Sequence, residues 1–400
     1  MHKQTVQYLF GGIFSLVIAM SIGRFSYTVI LPYMQDTFAF SHATAGFLAT
    51  SNYLGYLVGA LVAGRLQIGG KRIPFLQISL VISILTTAMM GFTDAVIAWY
   101  VLRFISGVMS ALIFVVAASL VLDQLAGNGK AHLSGLFYSG VGAGIALSAV
   151  IVSPIHAMFD WNGTWIALAL FSVVLLVFIV LFIKPVTQHP QQKQSQTIAS
   201  HKVPPTTWMK WLILGYSLEG LGYIVTGTFI VSIAEESTSF HGDATFVWFV
   251  VGIAAIPSCI VWSTLAQRYG YVRTLLTSML IQGLGIVLPA LATNTMTLYI
   301  SAFIFGATFM GITTIATTLA RQIFPVNSHK ILGYLTAGYA LGQMLGPSLA
   351  GALANYTNSY QYALFGATAV VVIGALCLIS GLKYEKVKVG ELATQVNLSK

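Results

Sequence analysis

Charged residues are scarce in this chain, and their scarcity limits the class of protein it can be. Its 400 residues include 19 Lys and Arg and 10 Asp and Glu, or 7% of the sequence, whereas roughly a quarter of an average soluble domain is charged. So few charges cannot solvate the surface of a soluble chain of this length, and 57% of the residues are hydrophobic. These values exclude a soluble enzyme, a nucleic-acid-binding protein and a disordered scaffold. They predict an integral membrane protein.

The sequence also lacks the usual signs of catalysis and of metal or nucleotide binding. Its two cysteines, Cys259 and Cys377, lie in apolar runs, where we expect small buried side chains. There is no Walker sequence for ATP and no Ser-His-Asp or Cys-His arrangement, and the histidines lie mostly in loops or near predicted helix ends. We therefore expect no enzymatic activity, no cofactor and no metal site.

Long apolar runs dominate the sequence. A bilayer core about 30 Å thick is crossed by roughly 20 apolar residues in a helix. The predicted spans are residues 8–33, 43–66, 73–92, 96–121, 131–152, 161–183, 208–233, 243–265, 271–292, 295–319, 331–353 and 360–381. This count of twelve depends on the short Thr293-Asn294 break being a turn. The first run continues beyond Ile30 without a small-x-small cleavage site, which indicates a retained helix rather than a signal peptide.

Basic residues mark one side of this arrangement. With the N-terminus in the cytoplasm, seventeen of the nineteen Lys and Arg fall on the cytoplasmic side and none falls in an external loop. Cytoplasmic loops are enriched in these residues, so we predict a multi-pass protein of the cytoplasmic membrane with both termini in the cytoplasm. The net charge of +9 then reflects topology in the lipid bilayer and not a nucleic-acid partner.

The two halves of the chain are related by an offset of 199 residues. Residue pairs that coincide at this offset are Gly23 and Gly222, His42 and His241, Leu66 and Leu265, Gly107 and Gly306, Asn128 and Asn327, and Leu133 and Leu332. We predict two six-helix bundles, 1–183 and 208–383, joined by a flexible cytoplasmic linker at 184–207 and followed by a cytoplasmic tail at 384–400. Parallel repeats place a site near the midplane and work by rocking one half against the other.

Two motifs resemble signatures of the major facilitator superfamily. Residues 99–107 (WYVLRFISG) resemble its fourth-helix motif, an arginine followed four residues later by glycine. The loop 265–270 (LAQRYG) resembles its helix-connecting signature, with Gln267 where an aspartate is expected. The matching first-half loop, 64–72, is one residue short and also lacks the acid. Both loops therefore depart from the charge relay that the superfamily has at its cytoplasmic gate.

Three further stretches resemble the YbfB/YjiJ-type branch of the superfamily, whose members are bacterial transporters. They are 23–27 (GRFSY) with Leu31-Pro32, 52–56 (NYLGY), and 222–224 (GYI) with Thr228-Phe229. The resemblance covers the whole chain. It implies an all-α membrane protein with twelve transmembrane helices in two pseudo-symmetric six-helix bundles. It also implies a central cavity lined by helices one, four, seven and ten, and a monomer.

Two arginines lie well inside predicted spans, where each charge costs about 2.5–3.5 kcal/mol at the helix centre. The planar fork of Arg24 suits a carboxylate or a phosphate. Arg24 therefore either binds an anionic substrate or is tied to backbone carbonyls and neighbouring helices. Arg103 belongs to the fourth-helix motif, so the resemblance implies a part in proton coupling or in balancing substrate charge. The alternative is that Arg103 fixes span four to a neighbouring helix.

Glu219 is the carboxylate placed deep in a predicted span. Its protonation would respond to hydration and occupancy of a cavity, as proton coupling requires. The alternative is a permanent bridge from Glu219 to Arg24 or Arg103. Neutral polar residues in apolar spans either bind a ligand or join helices. The predicted substrate contacts are Arg24, Tyr27, Asn52, Tyr56, Arg103, Tyr223, Thr226, Tyr339 and Gln343, and the predicted proton-coupling residues are Glu219 and Arg103.

Glycines four residues apart allow helices to approach closely. The stretch 342–347 (GQMLGP) resembles the antiporter motif of the superfamily, which other members carry in span five and this chain carries in span eleven. This motif primarily indicates close helix packing and gives weaker support to an exporter. The predicted gate and packing residues are Gly107, Gly140, Gly144, Arg268, Gly270, Gly342, Gly346 and Pro347.

These observations predict a secondary active transporter that moves a small organic solute by alternating access. Arg24 favours an anionic or zwitterionic substrate, and Glu219 with Arg103 favours coupling to protons. One alternative is a proton-driven exporter of hydrophobic or cationic compounds, in which Glu219 binds the cation. Another is a membrane sensor or scaffold that does not transport, because a fold alone does not fix a function.

Overall fold

The computed structural model describes residues 3–65, 71–130, 133–184, 203–324 and 328–385. Within these ranges the chain is helical and contains no strand, as the sequence predicts. Most of the predicted linker at 184–207 and of the tail at 384–400 lies outside the described residues, as does the centre of the loop at 64–72.

The described helices follow one another with short connections. They are α1 (Lys3–Phe38), α2 (His42–Arg65), α3 (Arg72–Met90), α4 (Val96–Gly127), α5 (134–159), α6 (161–182), α7 (Met209–Glu235), α8 (Thr245–Tyr269), α9 (Tyr271–Leu291), α10 (Thr295–Ile323), α11 (Ser328–Thr357) and α12 (Gln361–Leu378). The break between α9 and α10 is a real turn, because the Asn294 side chain caps the start of α10 by accepting from the Thr297 N–H at 3.0 Å.

Ten helical runs of the described chain are long and apolar enough to cross a membrane. One of them, Ser134–Phe182, has 49 residues and contains both α5 and α6, which are separated only at Asp160, where φ is 59°. The predicted loop at 153–160 is therefore mostly helix, because Pro154 is tolerated in it and Asp160 alone leaves the helical conformation. Helix α11, with 30 residues, is not among the ten. The predicted count of twelve includes α11 and treats α5 and α6 separately.

The outer surface of the bundle is apolar, which is the reverse of a soluble protein. Large hydrophobic side chains such as Ile97, Leu284 and Tyr356 are 80%, 61% and 85% exposed, while Arg24, Arg103 and Glu219 are buried. Soluble monomers rarely expose apolar patches of this extent. The exposed face is suited to lipid, and the chain is a multi-pass membrane protein.

Related positions of the two halves have the same packing. At Gly107 on α4 an added Cβ would overlap the carbonyl oxygen of Asn52, and at Gly306 on α10 it would overlap that of Val251. Gly107 and Gly306 are 199 positions apart in the sequence, and so are their partners Asn52 and Val251, in agreement with the internal offset. Glycine is needed at both positions because the backbone of another helix occupies the space of a side chain.

The other predicted packing glycines also lie against neighbouring helices. Gly140 and Gly144 face Ile13 and Ser21 on α1. Gly342 and Gly346 face backbone atoms of α7. The carbonyl oxygen of Pro347 on α11 lies where a side chain at Gly46 on α2 would be.

The two remaining predicted gate residues lie near the connection between α8 and α9. Gly270 has a φ of 99°, which favours glycine. The carboxylate of Glu385 accepts from the backbone N–H groups of Val272 and Arg273 and thus caps the start of α9. Arg268 is exposed beside the ring of Tyr269.

Two contacts between chain segments lie at one end of the bundle. Tyr8 near the start of α1 donates to the carbonyl of Lys184, just after α6. Trp208, just before α7, donates to Ser380, just after α12, at 2.9 Å. We call this end, where α1 begins and α12 ends, the near side, and the opposite end the far side.

Helices from the two halves meet closely at and below the far side. Thr28 on α1 donates to the carbonyl of Gly227 on α7 at 2.7 Å, and Thr50 on α2 donates to that of Met344 on α11 at 2.8 Å. Ser153 on α5 donates to the carboxylate of Asp243, which precedes α8. These contacts close the far side.

We predict that Gly107→Ala and Gly306→Ala each destabilise the protein by about 1–3 kcal/mol, because the new methyl group forces two helix backbones apart. Thermal unfolding of the purified protein in detergent measures this change. The matched control is Gly366→Ala on α12, where an added Cβ meets no atom of the described residues within 4 Å. It should be neutral or stabilising by up to about 1 kcal/mol. Equal melting temperatures for all three variants would contradict the packing that we describe.

Candidate functional site

A cavity of about 520 Å³ runs from the middle of the bundle toward the near side. Its inner end is formed by Arg24 and Phe25 of α1 and by aromatic side chains of α7, α10 and α11. Four threonines on one face of α10 line the route outward, and Asp123 and Arg321 lie toward its mouth. The lining threonines are Thr313, Thr314, Thr317 and Thr318. The cavity therefore opens to the near side and ends below the closed far side.

Arg24 is the charged group at the inner end of the cavity. It is 2% exposed, and its guanidinium carbon lies 4.3 Å from the ring centroid of Tyr56, 4.7 Å from that of Tyr53 and 5.1 Å from that of Phe25. Its Nε and Nη2 have no hydrogen-bond partner in the part of the chain that the structure describes. Within the described ranges Arg24 forms no ion pair. Aromatic faces thus surround and stabilise a guanidinium whose hydrogen-bonding capacity is only partly used among the described residues.

The backbone beside Arg24 is a π-helical stretch, Val17–Phe25, inside α1. Such wide turns are frequent at functional sites and change the backbone hydrogen bonds of an α-helix. Side chains of α4 bond to the carbonyls of this stretch. Ser106 donates to Gly23 at 2.7 Å, and Ser110 donates to Ala19 at 2.6 Å. Helix α4 therefore fixes the conformation that presents Arg24 to the cavity.

Arg103 takes part in this support. Its Nη1 and Nη2 donate to the carbonyls of Gly23 and Arg24, both at 3.2 Å, and its guanidinium lies 4.6 Å from the ring centroid of Tyr27. Asn52 in turn donates to the carbonyl of Arg103 at 2.9 Å. Arg103, Tyr27 and Asn52 thus lie together between α1, α2 and α4, behind the cavity wall.

Five aromatic rings form the opposite wall and its support, and we call them the aromatic stack. They are Tyr216, Tyr223, Phe305, Phe309 and Tyr339. The planes of neighbouring rings differ by only 7–16°, and their centroids are 4.1–6.2 Å apart. Phe25 meets Phe309 edge to face at 6.3 Å and so connects the stack to Arg24. Four rings of the stack line the cavity, and Phe305 lies behind them.

Glu219 lies outside the cavity wall, behind the aromatic stack. It is completely buried, and within the described ranges neither carboxylate oxygen has a hydrogen-bond partner of normal geometry. Its polar neighbours are the side chains of Gln282 on α9 and Tyr339 on α11. Among the described residues it forms no ion pair with Arg24 or Arg103. Tyr339 is thus shared between the cavity and the buried carboxyl group.

Two other predicted substrate contacts differ in position. Gln343 lines the cavity and donates to the hydroxyl of Tyr223. Thr226 is completely buried on α7 and does not line the cavity. Of the nine predicted contacts, the cavity wall includes Arg24, Tyr56, Tyr223, Tyr339 and Gln343.

The acidic and basic side chains near the mouth of the cavity differ in whether they have a partner of opposite charge. Asp123 is neutralised by Arg72, whose Nη1 lies 2.7 Å from its Oδ2. Arg321, at the end of α10, has no acidic partner within the part of the chain that the structure describes. The wall therefore has two arginines and one aspartate, which is paired with Arg72, so the formal charge of the wall is positive. No group of three His, Cys, Asp or Glu side chains in the described ranges could hold a metal ion.

Polar contacts at the far side join the two halves. The hydroxyl of Tyr360 and Nδ1 of His42 are 2.9 Å apart, and Oε1 of Glu236 is 3.7 Å from the same nitrogen. Burial, together with the charge of Glu236, raises the pKa of Tyr360, so the phenol keeps its proton. Loss of solvent raises the pKa of Asp243, but hydrogen bonds from Ser153 and Thr245 outweigh this and hold it below its usual value. Asp243 is thus an ionised acceptor in its contact with Ser153.

Several site residues are not apparent from hydropathy and charge. Phe25, Phe309 and Tyr216 line the cavity, and Gln282 accompanies Glu219. One usable signal is the internal offset, since Arg24 and Tyr223 occupy equivalent positions 199 residues apart. Aromatic side chains in an apolar helix otherwise have the same pattern as lipid-facing residues.

The fold is similar to that of a known transporter. Two crystal structures of the nucleoside transporter NupG superimpose with TM-scores of 0.71 and 0.69, at 16% and 14% identity. The matches cover 94% and 96% of this chain and 99% and 100% of NupG. At this identity the similarity shows the fold alone.

Proteins related to this chain in sequence also include membrane transporters. The chain is 23% identical to the uncharacterized MFS-type transporter YceJ of Bacillus subtilis, over 88% of this chain and 84% of that protein. It is 20% identical to a benzoate transport protein of Acinetobacter baylyi, over 92% of this chain and 88% of that protein. Residues 16–379 match the family described as "Uncharacterised MFS-type transporter YbfB". The chain therefore belongs to this YbfB family of major facilitator superfamily transporters.

Proposed function

We propose that this chain transports small organic anions across the cytoplasmic membrane by alternating access and couples that movement to protons. The observation that carries the proposal is the state of Arg24. Its buried guanidinium faces a cavity, has two nitrogen positions without hydrogen-bond partners, and has no acid paired with it among the described residues. An arginine within a membrane is costly unless it gains a partner. An anionic substrate supplies that partner.

The positive cavity supports an anion over a cation. The acidic residue of the wall, Asp123, is bound to Arg72 near the mouth, whereas Arg24 and Arg321 repel cations. Glu219, the residue that a cation exporter would use, lies behind Tyr339 and not on the wall. The related protein of Acinetobacter baylyi is named for transport of benzoate, which is an organic anion. This similarity also supports the anionic class.

In our proposal the near side is the cytoplasm and the structure is the inward-facing state. Described basic residues at that side include Arg72, Lys130, Lys210, Arg273 and Arg321, as the enrichment of cytoplasmic loops in Lys and Arg requires. The two bundles, 1–183 and 208–383, rock about the central site in the way of parallel repeats. Opening the far side breaks the contacts of Thr28 and Thr50 with the other half.

Glu219 is our proposed proton site. A buried carboxylate without a cation has a large desolvation cost, so Glu219 holds a proton while α7, α9 and α11 enclose it. Tyr339 joins this group to the cavity, because its ring lies on the wall and its side chain neighbours the carboxyl group. Protonation of Glu219 is thereby linked to the helix arrangement around the substrate. Arg103 assists by fixing the backbone of Arg24.

The anion proposal predicts ligand-dependent stabilisation of the purified protein. Lactate, succinate, citrate, 4-hydroxybenzoate and glucose 6-phosphate can be compared with uncharged glucose in thermal unfolding. A ligand at 100 times its Kd adds about 2.7 kcal/mol of stability. At least one anion should stabilise the wild type and not Arg24→Gln, while glucose should do neither. Equal stabilisation of wild type and Arg24→Gln by that anion would assign Arg24 a structural role.

The orientation predicts where single cysteines react. In a variant without Cys259 and Cys377, the exposed positions Lys210 and Thr238 lie on the near and far sides. Thr238→Cys should react with a membrane-impermeant maleimide in intact cells, whereas Lys210→Cys should react only after permeabilisation. The reverse pattern would place the near side outside and refute the topology.

The proton proposal predicts the effect of Glu219→Gln, which keeps the shape of the protonated side chain. Exchange of a bound anion across proteoliposomes should persist, whereas accumulation driven by a pH gradient should fall to the level without a gradient. Tyr339→Phe keeps the ring in the aromatic stack and should slow gradient-driven accumulation while leaving anion affinity within about twofold.

A carboxylate on the same helix provides the control for this test. Glu235 lies at the exposed far-side end of α7, so Glu235→Gln should retain the response to the pH gradient. An unchanged response in Glu219→Gln would exclude Glu219 as the proton site.

A further inference from the structure

The aromatic stack narrows the class of anion, and this inference rests on the proposed function. We propose that the substrates are planar aromatic monocarboxylates. Arg24 binds the carboxylate, and the ring lies against the aromatic stack. Citrate-like polyanions, amino acids and aliphatic acids fit this arrangement less well.

The first support is the position of Arg24 relative to the stack. Phe25 contacts both: the Arg24 guanidinium carbon lies 5.1 Å from its ring centroid, and the Phe309 ring centroid lies 6.3 Å from it. The ring of Phe25 thus connects the Arg24 guanidinium to the aromatic stack. A ligand whose carboxylate is attached directly to a ring, or by a short conjugated link, can reach both.

The second support is the common orientation of the rings. Aromatic pairs in proteins usually adopt varied tilts, including edge-to-face contacts. Here Tyr216, Tyr223, Phe309 and Tyr339 line one cavity with neighbouring planes within 13° of each other. The hydrogen bond from Gln343 to the Tyr223 hydroxyl fixes one ring of the set. Parallel rings favour a flat apolar body that aligns with them over a puckered aliphatic one.

The third support is the balance of charge and the size of the cavity. One arginine at the inner end favours one carboxylate. An amino acid would also place an ammonium group there, but the wall acid, Asp123, is at the mouth and is bound to Arg72. The volume of about 520 Å³ lies within the usual range for sites that bind small molecules. The site therefore selects against zwitterions and accepts a body of one or two rings.

Four probes separate charge from planarity, namely benzoate, cyclohexanecarboxylate, benzamide and phenylalanine. Calorimetry with the full-length protein in detergent measures their binding. Benzoate should bind most tightly. Cyclohexanecarboxylate, which has the charge without the flat ring, should bind about 3- to 10-fold more weakly. Benzamide, which has the ring without the charge, should bind at least about 10-fold more weakly. Phenylalanine should not compete with benzoate at equal concentration.

Two variants and two matched controls assign these preferences to residues. Arg24→Gln should remove the preference for benzoate over benzamide, whereas Lys210→Gln, at an exposed near-side position, should keep it. Phe309→Leu should weaken the binding of benzoate and leave the binding of cyclohexanecarboxylate unchanged. Phe303 lies on the same helix but is 58% exposed on the outer surface. Phe303→Leu should therefore leave the binding of both ligands unchanged. If a variant fails to fold, binding of the four probes to the wild type still tests the preference for planar aromatic monocarboxylates.

The outcomes distinguish this inference from the proposed function. If cyclohexanecarboxylate or phenylalanine binds as tightly as benzoate, the aromatic class is wrong. If succinate or citrate binds through Arg24 and benzoate does not, the aromatic class is wrong while anion transport stands. If no carboxylate or phosphate binds, both are wrong.

Discussion

The central site depends on a buried arginine that has no acidic partner among the described residues. Removing Arg24 from water is costly, and the chain meets that cost with three aromatic faces and with a rigid backbone rather than with a carboxylate. The π-helical stretch of α1 presents the guanidinium, and the hydroxyls and guanidinium of α4 bond to the carbonyls of that stretch. In our proposal, an anion in the cavity becomes the partner of the Arg24 N–H groups that have none among the described residues.

In our proposal, the separation of Arg24 from Glu219 gives the two groups different roles, which are substrate binding and proton binding. A direct ion pair would neutralise both and would leave neither a substrate charge nor a proton to be bound. The aromatic stack lies between them, and Tyr339 belongs both to the cavity wall and to the surroundings of Glu219. Because helices of both halves contribute to the site, we propose that a change in their packing alters the contacts of substrate and of proton together.

The sequence predicts the fold well and the site in part, for physical reasons. Long apolar runs must be helices in a bilayer, so the all-helical membrane fold follows from composition. The charge of Arg24 and Glu219 marks both residues because an ionisable side chain in such a run is rare. The break at Asp160 depends on one residue with a positive φ, so the sequence places it less well. Rings such as Phe309 and the lipid-facing Phe303 look alike in sequence, because only the three-dimensional packing distinguishes the faces of α10.

The measurement that tests this account most directly is counterflow of labelled 4-hydroxybenzoate into proteoliposomes that are preloaded with the unlabelled compound at pH 7.5, with protein-free liposomes as the baseline. The account predicts transient accumulation of the label by the wild type and by Lys210→Gln, and no accumulation above the baseline by Arg24→Gln. Accumulation by Arg24→Gln at the wild-type rate, or none by the wild type, would contradict the claim that an aromatic anion crosses the membrane through the site at Arg24.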